Sequence, residues 1–261
     1  MRLDGLIPAT VLPLTDDGAI DEPGFRRYIR WISAQGPAAL AVNADTGEGP
    51  SLEARERLRV IEIAREETDL PLVTGLFGSD DAADALSAGA EAALVFPVAD
   101  DVVSYHRAIA ERGIGVIAFQ LQPALGGFEY SRDTIERVTA LDGVIAIKEA
   151  SFDRDRCAET VKISAKPVLT GNDNFILESF ALGCSGALVG FGAVHTAEQV
   201  AMIADWHRGA LEQARAASAR LQPIADAIFA PPVADYRRRL KELLVEQGIL
   251  DASHMRPVAA R

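Results

Sequence analysis

Apolar residues gather in short, near-continuous runs that alternate with segments of helical periodicity. The runs cover residues 6–14, 38–43, 70–76, 92–98, 116–121, 144–148, 167–170 and 187–189. Unbroken hydrophobicity, rather than strict alternation, marks strands covered on both faces. The segments between them carry helix-start signals. Ser51 stands ahead of Leu52-Glu53-Ala54-Arg55-Glu56-Arg57, and Thr196-Ala197-Glu198-Gln199 reads as a capping box. Eight strand–helix repeats in 261 residues predict an α/β fold of the (β/α)8 TIM-barrel type. A doubly wound sheet is the rival, but the first strand runs into Thr15-Asp16-Asp17-Gly18 and not into a glycine-rich phosphate turn. Residues 1–195 then supply the barrel strands and helices. Residues 196–261 supply the last barrel helix and a C-terminal helical extension within a single domain, divided into segments by Pro223 and Pro231-Pro232.

A barrel of this type does its chemistry at the carboxyl ends of its strands. Those ends carry Asp45-Thr46-Gly47-Glu48, Gln120-Leu121-Gln122, Lys148-Glu149, Gly171-Asn172-Asp173 and Gly190-Phe191-Gly192. Lys148 is the most distinctive residue among them. The chain has 26 Lys and Arg, yet lysine occurs only at Lys148, Lys162, Lys166 and Lys241. An ammonium at the end of a buried strand loses hydration, which lowers its pKa toward a reactive amine, and arginine cannot do this. Lys148 is therefore the candidate Schiff-base nucleophile. A lysine snorkelling out of a strand end, or a structural ion pair, is the alternative.

Charge and cysteine content narrow the remaining classes. A formal net charge of −12 lacks the basic footprint that nucleic acid or an anionic membrane surface requires. No apolar run reaches membrane-spanning length. Cys157 and Cys184 fall in no metal or redox motif and read as reduced interior thiols, so a cytoplasmic protein without metal or cofactor is expected.

Four stretches in order resemble the dihydrodipicolinate synthase / N-acetylneuraminate lyase family of class I Schiff-base aldolases. They are Ile7-Pro8-Ala9-Thr10 with Asp17-Gly18-Ala19-Ile20-Asp21, then Asp45-Thr46-Gly47-Glu48 with Ser51-Leu52 and Glu56-Arg57, then Ile147-Lys148-Glu149-Ala150-Ser151, then Thr170-Gly171-Asn172-Asp173. The likeness runs from Gly5 to Pro257. It implies that Lys148 forms a Schiff base with pyruvate or another 2-oxo acid, that Thr46 and Gly47 hold the substrate carboxylate, and that the chain is a homo-oligomer, tetramer or dimer.

Departures from the family pattern are equally informative. Phe119 in Phe119-Gln120-Leu121-Gln122-Pro123 stands where the family has a proton-relaying tyrosine, and a phenyl ring cannot move a proton. The loop Ala124-Leu125-Gly126-Gly127 offers no carboxylate-binding arginine, and Val98-Ala99-Asp100-Asp101 offers no second tyrosine. These losses predict an aldolase or dehydratase other than a true dihydrodipicolinate synthase, or a non-catalytic paralogue that binds a 2-oxo acid or sugar acid. Asp45, in place of the family's first threonine, is the candidate replacement relay, with a turn cap or ion pair as its alternative. Gln120 and Gln122, expected to face the barrel interior, Gly171 and Leu188 complete the candidate binding set. Glu48 is expected to order its loop, His195 to approach the mouth, and Tyr130 to pack or to turn inward as a substitute tyrosine.

Overall fold

The computed structural model describes residues 1–252 and 254–256. Eight parallel strands stand in the order β1-β8-β7-β6-β5-β4-β3-β2. They are β1 (Leu6–Pro8), β2 (Leu40–Val42), β3 (Leu72–Leu76), β4 (Ala92–Val95), β5 (Gly115–Leu121), β6 (Val144–Ala150), β7 (Val168–Thr170) and β8 (Gly186–Val189). A parallel bridge between Ala9 and Ala41 draws β1 toward β2 and all but closes the cylinder. The helices α1 (Glu22–Ser33), α2 (Ala54–Glu67), α3 (Asp81–Ser87), α4 (Val102–Ala110), α5 (Arg132–Thr139), α6 (Arg154–Ile163), α7 (Ile176–Leu182) and α8 (Thr196–His207) each follow one strand. Beyond them lie α9 (Leu211–Ile228) and α10 (Tyr236–Glu246). This is the predicted barrel with its C-terminal extension; residues 253 and 257–261 of that extension lie outside the described residues.

The first run yields only a three-residue strand. Past Thr10, whose N–H still donates to the Ala41 carbonyl at 2.9 Å, the chain leaves the sheet, and Leu14 pairs with Ile20 in an antiparallel bridge. Ser51 does not open α2; the start lies at Glu53, whose N–H donates to the Glu56 carboxylate at 2.9 Å. The Thr196 box does not form either. Thr196 is the first helical residue, its hydroxyl donates to the Gly192 carbonyl at 2.7 Å, and Gln199 donates to the Phe191 and Val194 carbonyls. Pro223 lies inside α9 without ending it, since one missing N–H is tolerated where tertiary packing holds both halves.

Two apolar layers position the site. An inner cluster fills the barrel with Ile7, Ala41, Val73, Leu94, Ile117, Phe119, Ala146, Ala150, Leu169 and Leu188. A larger outer cluster lies between strands and helices and continues under α8, α9 and α10. Ala146 and Ala150 therefore fix the inward face of β6, and Lys148, two residues from each, shares it. Phe119 lies directly opposite Lys148 in the β5–β6 register.

Candidate active site

Lys148 is 8 % exposed, and its Nζ stands 4.3 Å from the centre of the Phe119 ring. Burial lowers its pKa from the ordinary 10.5 to about 8, against the opposing pull of the Asp173 and Asp45 carboxylates. Asp173 is buried as well, which raises its pKa to about 6 even though it accepts the Phe191 N–H at 2.6 Å. A Cβ on Gly171 would lie 2.5 Å from Lys148 Cε, so a glycine is what leaves the amine room to reach the mouth. The Gly171 N–H itself donates to the Glu149 carbonyl at 2.6 Å, so this residue shapes the site without offering a donor.

The turn after β2 faces this amine. Asp45 accepts the Tyr236 hydroxyl at 2.7 Å and lies 3.8 Å from Arg237 Nη1. Thr46 is buried with its Oγ1 3.3 Å from the same phenol. Gly47 N–H donates to the Ala44 carbonyl at 3.1 Å, so the donor expected to hold the substrate carboxylate there instead closes the turn. Glu48 is clamped: Lys241 Nζ lies 2.5 Å from one oxygen and the Arg256 N–H donates to the other at 2.8 Å. Both ends of the Glu48–Lys241 pair are buried, which ties the turn to α10.

Several predicted residues stand elsewhere. Gln120 points away from the barrel interior, donating to Thr160 Oγ1 of α6 at 2.9 Å and reaching Glu149 at 3.4 Å. The physical reason is its neighbour: Phe119 faces inward, so the next residue of the strand faces out. Gln122 lies past the end of β5 beside a groove that includes Ser151, Phe152 and Arg156. Leu188 is fully buried in the inner apolar layer. His195 bonds Glu198 at the start of α8. Tyr130 is buried in an outer cluster beside His106, and that histidine is itself buried and not at the surface. Cys157 and Cys184 are free thiols buried in the same cluster. Among the described residues no group of three or more His, Cys, Asp and Glu comes together as a metal site, and no helix is long and apolar enough to cross a membrane.

Tyr236 and Arg237 were not anticipated from the sequence. They follow the proline pair in the C-terminal extension, where nothing local marks them as site residues. Phe229 stacks on Tyr236 at 5.1 Å, and burial pushes the phenol pKa well above 10. Arg237 is 7 % exposed, and its Nε has no hydrogen-bond partner among the described residues.

The sequence matches the profile of the dihydrodipicolinate synthetase family over residues 2–260. The chain belongs to the dihydrodipicolinate synthetase family. Members are lyases of the aldolase type. The 4-hydroxy-tetrahydrodipicolinate synthase of Methanothrix thermoacetophila is 30% identical over 241 residues, covering 86% of this chain and 81% of that protein. The enzyme of the same name from Acidiphilium cryptum is 30% identical over 244 residues, covering 87% and 83%. Among solved structures, dihydrodipicolinate synthase from Thermotoga maritima superposes with a TM-score of 0.89 at 23% identity, covering 100% of this chain and 93% of that one. A prophage protein of the same family from E. coli K12, solved in complex with pyruvate, gives 0.90 at 22% identity, covering 100% and 93%. At these identities the two structures speak for the barrel fold of the dihydrodipicolinate synthetase family.

Proposed function

We propose that this family member is a Schiff-base lyase, an aldolase or dehydratase acting on pyruvate or a longer 2-oxo acid through Lys148. The observation that carries the reading is the Lys148 amine, held in an apolar barrel layer at a pKa of about 8 between two carboxylates. The neutral amine attacks the 2-oxo carbon, the carbonyl oxygen leaves as water, and the iminium draws electrons from C3. That electron sink serves carbon–carbon cleavage and β-elimination alike. The Phe119 face, 4.3 Å from Nζ, favours the cationic iminium through its ring quadrupole. Asp45 takes up and returns protons, and Thr46 holds the substrate carboxylate through its backbone N–H, leaving its hydroxyl to the neighbouring phenol. Arg237, with a buried Nε that lacks a partner, supports a second acidic group on the substrate.

Phe119 in place of a tyrosine supports a reaction other than dihydrodipicolinate synthesis, although the relatives bear the synthase name. We also propose a dimer or tetramer working in the cytoplasm, to be read by light scattering and fractionation. The test of the chemistry is borohydride trapping with pyruvate and a panel of 2-oxo sugar acids, followed by peptide mapping. Reduced adduct on Lys148, absent from Lys148→Ala, with turnover of one panel member, is the expected result. Adduct without turnover identifies a degenerate enzyme, and binding without adduct overturns the Schiff-base reading.

A further inference from the structure

Chemistry on a lysine-bound 2-oxo acid needs a group that carries protons to and from the adduct, and the ring at position 119 has none to exchange. α10 brings a phenol to the mouth instead. The Tyr236 hydroxyl donates to Asp45 Oδ2 at 2.7 Å and lies 3.3 Å from Thr46 Oγ1. Each hydroxyl has one proton, so with the phenol proton given to Asp45, the Thr46 hydroxyl is the donor to the phenol oxygen. A Cβ on Gly190 would lie 2.9 Å from Thr46 Oγ1, 3.2 Å from Tyr236 Cε2 and 3.6 Å from Asp173 Oδ1. Hydroxyl, phenol ring and the second carboxylate beside Lys148 thus meet around one point. The buried Glu48–Lys241 pair and the Phe229 stack hold the phenol there.

We propose that Tyr236, delivered by the C-terminal helix, is the proton-relay residue of this site, passing protons between Thr46 and Asp45. The proposal rests on the Schiff-base reading of Lys148. In it, the proton that Lys148 sheds to become a nucleophile is held on Asp45. It returns through Tyr236 and Thr46 to the substrate oxygen, which takes a second proton from the attacking nitrogen and leaves as water, while the nitrogen keeps one proton and the positive charge ends on the iminium. A C3 proton then enters the chain in the order that the phenol's donation to Asp45 imposes, Thr46 to Tyr236 to Asp45, and the C–H electron pair forms the enamine double bond.

The test uses the full chain with pyruvate, reading adduct on Lys148 by borohydride trapping and loss of C3 protons by NMR in D2O across neutral pH. Tyr236→Phe keeps the ring on Phe229 and removes only the hydroxyl. On prolonged incubation it traps as the wild type does, whereas C3 exchange falls by about 10²–10⁴-fold, the usual worth of a positioned acid–base group. Thr46→Val cuts the same chain from its other side and lowers exchange alike, and the double variant loses little more than either. Trapping with exchange within about threefold of wild type in Tyr236→Phe overturns the relay alone, since a positioned group contributes far more. No trapping even in the wild type overturns the Schiff-base reading and the relay with it.

Discussion

Replacing Asp173 by asparagine removes one of the two charges that oppose deprotonation of Lys148, and the sign and ceiling of the effect follow from the site. The Lys148 amine titrates at about 8, with the Asp173 carboxylate pulling the value upward. At pH 7 about 9% of such an amine is free, against about 0.03% for an ordinary lysine, so burial net of the two carboxylates supplies roughly 300-fold more free amine. Asp173 itself titrates at about 6, so it is largely ionised at pH 7 and exerts its pull there. Asparagine keeps an oxygen to accept the Phe191 N–H, which limits the change to charge.

Without that charge the Lys148 pKa falls, and the limb of the adduct-formation profile moves toward acid. The gain at pH 7 cannot exceed about 11-fold, the ratio of a fully free amine to the present fraction. By pH 9 about 90% of the wild-type amine is already free, so the gain disappears there. Initial rates of borohydride trapping with pyruvate, measured from pH 6 to 9.5, read both features. An alkaline shift of the limb, or an equal gain at every pH, would refute the electrostatic account of Lys148.

Three further outcomes follow from the geometry. Glu48→Ala leaves Lys241 buried without its carboxylate partner and lowers stability by about 3–5 kcal/mol, read as a drop in chemical-denaturation midpoint. Gly171→Ala places a methyl 2.5 Å from Lys148 Cε, so trapping on Lys148 falls sharply, while circular dichroism still shows the barrel. Arg237→Gln raises KM about tenfold or more for a 2-oxo acid with a second carboxylate, the worth of a charge-assisted hydrogen bond, and leaves KM for pyruvate nearly unchanged.

The barrel and the buried lysine on its sixth strand were legible because their signals are local. Buried parallel strands announce themselves as apolar runs, and a lone lysine at the end of one stands out in a chain that otherwise uses arginine. Phe119 was legible as an anomaly by the same logic. The error at Gln120 came from treating the two glutamines as an inward pair, when an inward Phe119 already turned residue 120 outward. Helix starts were misplaced by one or two residues because side-chain partners such as the Gly192 carbonyl, which captures the Thr196 hydroxyl, are set by tertiary packing. Tyr236 was beyond local reading altogether. It meets Asp45 across 191 positions of sequence, and only the docking of α10 through Glu48 and Lys241 makes the two neighbours.

The crystal structure of the protein reduced with borohydride in the presence of pyruvate tests the central claim most directly. The account predicts a continuous bond from Lys148 Nζ to the substrate C2, with the carboxylate at Thr46 and the Tyr236–Asp45 pair beside the adduct. Pyruvate bound without a bond to Lys148, or joined to a different lysine, would contradict it.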